Sequence, residues 1–438
     1  MKISKFIFLS IAIALLVVAC KDDSNTDNNG LGNITPRDPV QQARSVKRGF
    51  SFNSIYTTDV DMLGEGCCWA YNWATTTNST IADEFDKLDM DFCPMGWGGS
   101  VNADAVRNYV VAHPKTKYLL GTNEPNLTDQ ANLTPTQLAV TWPSFVSLSK
   151  ELNLKLISPA MNYGTLAGYS DPIKWLDEFF TKVDINDIHA IAVHCYMTNA
   201  ASVKSFVEKF RKYGKPIWLT EFCVFENATD AGQKAFLIET LNYLEADPLV
   251  ERYAWFMLRT GSATTASPYN QLVTKTTPTQ LTELGILYNA VPSQDKNAYY
   301  VENQTIEAEC YNNINSSESV GQQGLQASPT LRISTDPEGG NFDVNNLKAN
   351  MWLEYQIDVP ATGTYKFQLR YSVALDSEMD LLINGVNVKT LILNRSTDPS
   401  STWITLDEDL KLNQGKQTLR LAMTKGSGAI NWLRFAIP

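Results

Sequence analysis

Residues 118–126 read Tyr-Leu-Leu-Gly-Thr-Asn-Glu-Pro-Asn, an apolar run that stops abruptly at Asn123 and Glu124. Residues 216–222, Pro-Ile-Trp-Leu-Thr-Glu-Phe, repeat the pattern with Glu221. A short apolar run bounded by turn residues predicts a buried strand. A carboxylate at the end of such a run is costly unless it is paired or used. Working outward, these are the fourth and seventh of eight similar runs, at 48–52, 67–73, 91–97, 118–123, 155–162, 188–197, 216–222 and 253–259. The stretches between them carry helical periodicity. Residues 134–152 are the clearest case: Thr134 can cap, Pro135 suits the first turn, and Leu138, Trp142, Phe145 and Leu148 or Leu152 fall near one face. Trp175, Phe179 and Phe180 form a second such face, Phe206 with Phe210 a third, and Phe236, Leu237 and Leu241 a fourth. Only the first crossover, 55–63, is too short for a full helix to be expected. The alternation predicts an α/β domain over residues 45–292, a (β/α)8 TIM-type barrel.

A barrel of this kind carries its chemistry where strands end. Strand four ends in Asn123-Glu124, strand six in His194-Cys-Tyr196 and strand seven in Thr220-Glu221. Strands four and seven lie across a barrel from one another, so both glutamates can point into one cleft. Glycoside hydrolysis usually needs two such carboxyl groups, one to protonate the leaving oxygen and one to attack the anomeric carbon or activate water. A single glutamate would be read as a cap or an ion-pair partner; two at these positions predict catalysis by Glu124 and Glu221. Asn123 is a candidate for the sugar 2-hydroxyl, and His194 and Tyr196 for orienting the nucleophile. Trp73, Trp97 and Trp255 are candidates for stacking on pyranose faces. No metal cluster is visible in this domain and no cofactor is expected for catalysis.

These motifs resemble glycoside hydrolase family 128, within the large clan of retaining barrel glycosidases. The likeness rests on Lys47-Arg48-Gly49, Tyr71-Asn72-Trp73, Gly121-Thr-Asn-Glu-Pro-Asn126, Ser158-Pro-Ala160, His194-Cys-Tyr196 and Trp218-Leu-Thr-Glu-Phe222, and covers roughly residues 45–292. The resemblance implies a β-1,3-glucanase, commonly endo-acting, with Glu124 as acid/base and Glu221 as nucleophile.

The chain has 438 residues, 44% apolar and 19% charged, which suits two soluble domains. Its formal net charge of −11 argues against nucleic acid and anionic polysaccharide as main ligands, and a neutral polysaccharide is the expected partner. Lys2 and Lys5 precede an apolar run, 6–19, and then Cys20. This predicts a signal peptide over 1–19, lipidation of Cys20 and a membrane anchor through that lipid alone. Residues 20–44 are polar and Pro/Gly-containing, so a flexible tether is expected. Lys21-Asp22-Asp23 resembles the surface-export signal of Bacteroidetes lipoproteins, implying display at the bacterial outer membrane. The six later cysteines give no disulfide framework or zinc spacing and read as small buried residues.

After a linker at 293–302 the pattern becomes short and alternating, with runs at 305–310, 352–359, 364–372, 379–383, 416–423 and 430–436. An antiparallel β-sandwich (jelly-roll) domain over 303–438 is predicted. Ile306-Glu-Ala-Glu309, Trp352-Leu-Glu-Tyr355, Leu382-Ile-Asn-Gly385 and Asn431-Trp-Leu-Arg-Phe435 resemble a family 6 carbohydrate-binding module. That resemblance implies a structural Ca2+ held by Glu307 and Glu309, and a sugar site built from Trp403, in a loop, and Asn431. The second aromatic of that site is not at its expected place; Phe342 is the substitute. Two rival readings remain at this stage: the same barrel cutting another neutral β-glycan such as mixed-linkage glucan or xylan, and a surface glycan-binding lipoprotein without catalysis. A monomer is expected.

Overall fold

The computed structural model describes residues 34–35, 37–260, 269–315, 329–397 and 402–438. The signal segment, Cys20 and the first part of the expected tether lie outside these residues.

Eight strands alternate with eight helices among the described residues of the first domain. They are β1 (Arg48–Ser51), α1 (Thr57–Leu63), β2 (Trp69–Tyr71), α2 (Ser79–Lys87), β3 (Asp91–Phe92), α3 (Ala103–Ala112), β4 (Tyr118–Leu119), α4 (Pro135–Glu151), β5 (Lys155–Leu156), α5 (Pro172–Phe179), β6 (Ile191–Cys195), α6 (Ala200–Glu208), β7 (Ile217–Phe222), α7 (Asp230–Ala246), β8 (Val250–Trp255) and α8 (Glu283–Ala290). All pairings among these strands are parallel, in the order β3-β2-β1-β8-β7-β6, with β4-β5 as a separate pair. Isolated parallel bridges continue the series: Met95 to Leu120, Asn123 to Ala160, Ile157 to Ala190 and Met161 to Val193. The regular ladders at β3, β4 and β5 are therefore shorter than their apolar runs, because the later residues pair one bridge at a time. The first crossover does hold a helix. Asp59 accepts from the Tyr56 N–H at 2.8 Å, and Val60 and Leu63 are buried, so seven residues suffice. Helix α4 starts as its sequence dictates: Thr134 accepts from Gln137 N–H, and Gln137 Oε1 accepts in return from Thr134 N–H at 2.8 Å.

Period-2 alternation sorts the strand residues into two layers. Trp69, Tyr71, Tyr118, Leu120, Ile157, Trp218 and Ala254 form an inner cluster. Phe50, Phe92, Leu119, Leu156, Val193, Leu219, Phe222 and Trp255 pack outward against the helices. The inner cluster has a charged floor, where the Arg252 guanidinium lies 4.4 Å from the Tyr118 ring, 5.1 Å from Trp218 and 5.5 Å from Trp69, and pairs with Asp91. Gly49 is required beside it, since a Cβ there would meet the Trp69 indole at 2.4 Å. Buried Arg48 ties β1 to the last helices, bonding Glu245 Oε1 at 2.8 Å and the Val291 carbonyl at 2.7 Å. Removing one partner of a buried ion pair costs about 3–5 kcal/mol.

The second domain is antiparallel throughout. One sheet runs β10-β13-β18-β15-β16 and the other β11-β12-β19-β14-β17, with β9 on β19. Their ranges are β9 (Ile306–Glu307), β10 (Asn313–Ile314), β11 (Thr330–Ile333), β12 (Phe342–Lys348), β13 (Trp352–Val359), β14 (Gly363–Val373), β15 (Ser377–Ile383), β16 (Val386–Leu393), β17 (Trp403–Leu412), β18 (Gly415–Lys425) and β19 (Ser427–Ala436). Inward residues such as Leu353, Tyr355 and Ile357 of β13 meet Phe367 and Leu369 of β14 in one apolar core.

One expectation about the connections is corrected. Residues 37–44 are not a free tether: Arg37 bonds Glu302 and Asp358, Gln42 donates to the Cys310 carbonyl at 2.7 Å, and Arg44 donates to the Gly64 carbonyl at 2.9 Å. The linker 293–302 is packed too, since Gln294, Tyr300 and Glu302 are buried. In both cases buried partners elsewhere in the chain satisfy polar side chains that composition alone assigns to solvent. The module also docks directly. Leu331 of β11 joins the hydrophobic core of the first domain, Phe342 packs against it, and Tyr311 donates to Asn242 Oδ1 of α7 at 2.7 Å. The six described cysteines are free thiols, four of them buried.

Candidate active site

Glu124 and Glu221 reach the same cleft by different local devices. Glu124 follows the end of β4 with φ 41°, in the left-handed region that an ordinary side chain occupies at a cost of about 1–3 kcal/mol. Neighbouring strands hold it there: Glu124 N–H donates to the Ala160 carbonyl at 3.0 Å, and Asn123 N–H to the Trp97 carbonyl at 2.9 Å. Glu221 depends on irregular pairing. Leu219 and Phe222 both face outward, so one residue too many lies between them for strict alternation. The register shifts between Leu219 and Phe222 against β8, and between Val193 and His194 against β7. Such bulges re-aim side chains near active sites; here they turn Glu221 inward beside His194.

The two carboxylates are held by separate sets of donors. Glu124 Oε1 accepts from Asn162 Nδ2 at 2.9 Å and bonds His194 Nδ1 at 2.8 Å. The Asn162 amide is fixed in that sense because its Oδ1 accepts from the Tyr163 N–H at 2.8 Å. Glu221 Oε1 accepts from Trp73 Nε1 at 2.7 Å and from the Tyr71 hydroxyl at 3.2 Å, and Oε2 accepts from the Tyr196 hydroxyl. His194 Nδ1 is also 3.5 Å from Glu221 Oε2. One oxygen of each glutamate and this nitrogen all lie within 4.8 Å of one another.

Electrostatically the three groups act together. Burial pushes the Glu221 carboxyl up, Glu124 adds to the rise, and His194 with the Tyr196 and Trp73 donors opposes it. Burial also acts upward on Glu124, but the His194 charge and the His194 and Asn162 hydrogen bonds outweigh it and hold that carboxyl low. Burial lowers His194, and the two carboxylates more than reverse this. Tyr71 and Tyr196 are raised by burial and by Glu221, so both remain hydroxyl donors. The cleft has a volume of about 750 Å³. Among the described residues that line it, Trp73, Trp97, Phe225 and Phe256 supply aromatic surface, Asn53, Asn123 and Gln130 supply polar groups, Glu226 adds a third carboxylate, and none is a lysine or arginine. Asn123 donates to Gln130 Oε1 at 3.2 Å, while its buried Oδ1 has no partner. Two carboxylates this close, in a cleft with aromatic walls, a third carboxylate at Glu226 and no cationic side chain among its described lining, fit an uncharged polyhydroxylated substrate better than an anionic one.

The sequence candidates fall into two groups. Glu124, Glu221, Asn123, Tyr196, Trp73 and Trp97 all line the cleft, and His194 lies beneath it against both glutamates. Trp97 is 39% exposed, as a stacking surface needs. His194 bonds the fourth-strand glutamate rather than the nucleophile candidate. Trp255 is a correction: it is fully buried in the outward layer between Phe222 and Tyr288, and its indole donates to the Asn270 carbonyl at 2.6 Å. Alternation along β8 turns Ala254 inward and Trp255 outward, away from the cleft. Three partners escaped the sequence reading. Tyr71 shares the face of Trp73, two residues on, and that spacing was a usable signal. Asn162 closes the fifth apolar run much as Asn123 closes the fourth. Phe256 gave no signal of its own.

The module's candidates differ from expectation. Trp403 begins β17 and is buried rather than carried in a loop. Asn431 is fully buried, its Oδ1 accepting from Gly340 N–H at 2.8 Å and its Nδ2 donating to Ser334 Oγ at 2.8 Å, so it fastens the strand connection 334–341. Glu307 and Glu309 each bury one carboxylate oxygen without a hydrogen-bond partner. Burial, with Glu307 and Asp343 adding to it, pushes Glu309 up to about 8, and burial raises Glu307 as well. Orphaned carboxylate oxygens of this kind fit a hard cation with oxygen ligands.

Comparison with known proteins places this geometry. Residues 49–288 match the family described as Glycosyl hydrolase catalytic core, and residues 322–436 match Carbohydrate binding module (family 6). A glycoside hydrolase family 128 (subgroup II) endo-β-1,3-glucanase from Pseudomonas viridiflava is 35% identical, with a TM-score of 0.51 over 57% of this chain and 98% of that one. Its counterpart from Sorangium cellulosum is 32% identical, with a TM-score of 0.50 over 56% and 98%. Alkali-sensitive linkage protein 1 of Schizosaccharomyces pombe is 24% identical over 260 residues, and this chain spans 44% of its length. The catalytic part of this chain thus belongs to the glycosyl hydrolases, as a member of glycoside hydrolase family 128.

Proposed function

We propose that the protein is a retaining, endo-acting β-1,3-glucanase in which Glu124 is the acid/base and Glu221 the nucleophile. The observation that carries this reading is the approach of the two carboxylates, with oxygens within 4.8 Å, across an aromatic-lined cleft. A retaining pair lies about 5–5.5 Å apart, whereas an inverting pair needs about 6.5–9.5 Å to admit water. The family relationship to endo-β-1,3-glucanases supports the substrate. The bridges from 95 to 120 and from 157 to 190 support closure of the eight strands into a (β/α)8 barrel, with both glutamates at its catalytic rim.

In this reading Glu221, oriented by three donors, attacks the anomeric carbon while Glu124 protonates the departing glycosidic oxygen. A covalent glycosyl-enzyme forms. Glu124 then takes a proton from water, which attacks the same carbon and releases Glu221. The free Oδ1 of Asn123 accepts from a sugar hydroxyl, and Trp97 stacks on a pyranose face. His194, protonated beside Glu124, passes its Nδ1 proton across the 2.8 Å hydrogen bond to Glu124 Oε1 as substrate displaces water, which leaves a neutral imidazole and a protonated Glu124 as the acid. The C-terminal domain keeps polymer near the cleft, with Glu307 and Glu309 on a structural Ca2+. A lipid on Cys20 holds the enzyme at the outer membrane, facing outward.

Product analysis tests the reading. Laminarin and curdlan should yield short β-1,3-linked oligosaccharides with retained anomeric configuration by NMR, while xylan should yield none. Inverted products would remove the nucleophile role, and cleavage of xylan alone would overturn the substrate. Glu221→Ala should lose activity by roughly 10³-fold or more, with azide restoring part of it on an activated aryl glycoside.

A further inference from the structure

Tyr56 stands on the β1–α1 connection, three residues beyond Asn53 of the cleft lining. It is 58% exposed, unusual for an aromatic residue whose position is so closely fixed. Its ring covers the Arg259 guanidinium, with a centroid distance of 4.8 Å. Every N–H of that guanidinium is engaged. Nε donates to the Thr274 carbonyl at 3.1 Å, Nη1 to the Ser54 carbonyl at 3.2 Å and Asp59 Oδ2 at 2.6 Å, and Nη2 to Asp59 Oδ1 and Thr279 Oγ1, both at 2.7 Å. Asp59 is fully buried and also accepts from the Tyr56 backbone N–H, so one carboxylate anchors both the ring's support and its main chain. One face of the ring therefore rests on a fixed cation, and more than half of the residue's surface remains open to solvent.

A loop clip does not need a large aromatic surface facing water, whereas a sugar platform does: flat, apolar, amphipathic and already ordered before the ligand arrives. We propose that Tyr56 on Arg259 is an outer subsite of the catalytic cleft, stacking on a glucosyl unit of the β-glucan chain beyond those held at the carboxylates. The inference rests on the β-1,3-glucanase reading. It adds a chain-length preference set by a residue that touches neither glutamate.

The test is kcat/KM for laminari-oligosaccharides from the trisaccharide to the octasaccharide, with wild type, Tyr56→Ala, Tyr56→Leu and Tyr56→Phe. Tyr56→Ala and Tyr56→Leu should lose about 3- to 10-fold on the longer oligosaccharides through KM, and keep wild-type values on the shortest that is cleaved. Tyr56→Phe should match wild type at every length. Tyr56→Leu keeps apolar bulk in the loop, so it separates stacking from loop packing. An equal loss at all lengths, or no loss at any, overturns the subsite while leaving the β-1,3-glucanase reading intact. Failure of the wild type to cleave any of the series overturns that reading and the subsite with it.

Discussion

Trp73 donates its indole N–H to Oε1 of Glu221 at 2.7 Å, and its own backbone sits at φ 57°, so the turn after β2 is bent to bring this donor to the carboxylate. Its ring also meets Tyr71 and Phe256 edge-on at 5.3 and 5.8 Å. A residue that could be read as a sugar platform is thus a hydrogen-bond donor to the carboxylate pair of the cleft. Trp73→Phe keeps an aromatic ring and removes the donor. A hydrogen bond to a charged group is worth about 1.5–3 kcal/mol, so kcat on laminarin should fall about 10- to 100-fold. A change confined to KM would show that the indole serves binding alone.

The pH profile should depend on His194. Its charge favours the ionised forms of both Glu124 and Glu221. His194→Phe removes that charge, so both apparent pKa values of the pair should rise and both limbs of the kcat/KM profile should move to higher pH. A shift to lower pH, or none, would mean that the imidazole is neutral across the working range.

Two tryptophans should separate stability from binding. Trp255 is fully buried in the outward core, and Trp255→Ala should destabilise the catalytic domain by about 3–5 kcal/mol, measured by urea unfolding. Trp97→Ala, at the cleft, should leave the unfolding midpoint nearly unchanged and raise KM. The opposite pattern would put Trp255 in the substrate path.

The module's stability should respond to pH and calcium together. Glu309 rises from 4.5 to about 8 on folding, chiefly through burial. A carboxyl raised in the folded state favours folding while it stays protonated, so without metal this contribution is complete below about 4.5 and is lost as pH climbs to about 8. In EDTA the melting temperature of the module should fall over that window, and added Ca2+ should restore it at pH 8. Glu309→Gln should remove both effects. A melting temperature that ignores Ca2+ at pH 8 would leave the two orphaned oxygens without a metal role.

The strand–helix alternation and both glutamates were legible because each leaves a local mark: an apolar run, then a carboxylate where none can be tolerated idly. What stayed hidden depends on relations between strands. Whether Trp255 or Ala254 faces inward is set by β8 register, and whether Thr220 or Glu221 does so is set by a bulge. Neither register nor bulge is written in residue type alone. Asn162 acts on Glu124 only because β5 lies beside β4, and Arg37 finds Glu302 across 265 positions of sequence. The module's polar residues misled for a related reason: Asn431 has the chemistry of a ligand contact, but the segment 334–341 claims both ends of its amide.

The strap at residues 37–44 has a mechanical meaning. Arg44 holds carbonyls of Gly64, Leu88 and Asp89, at the ends of α1 and α2 from which β2 and β3 begin, on the side of the strands away from the glutamates. Arg37 and Gln42, a few residues earlier, grip the module at Asp358 and Cys310 and the connection leading into it at Glu302 and Tyr300. Tension arriving along the preceding chain is therefore taken up in shear by both domains at once, before β1 can be peeled from its neighbours.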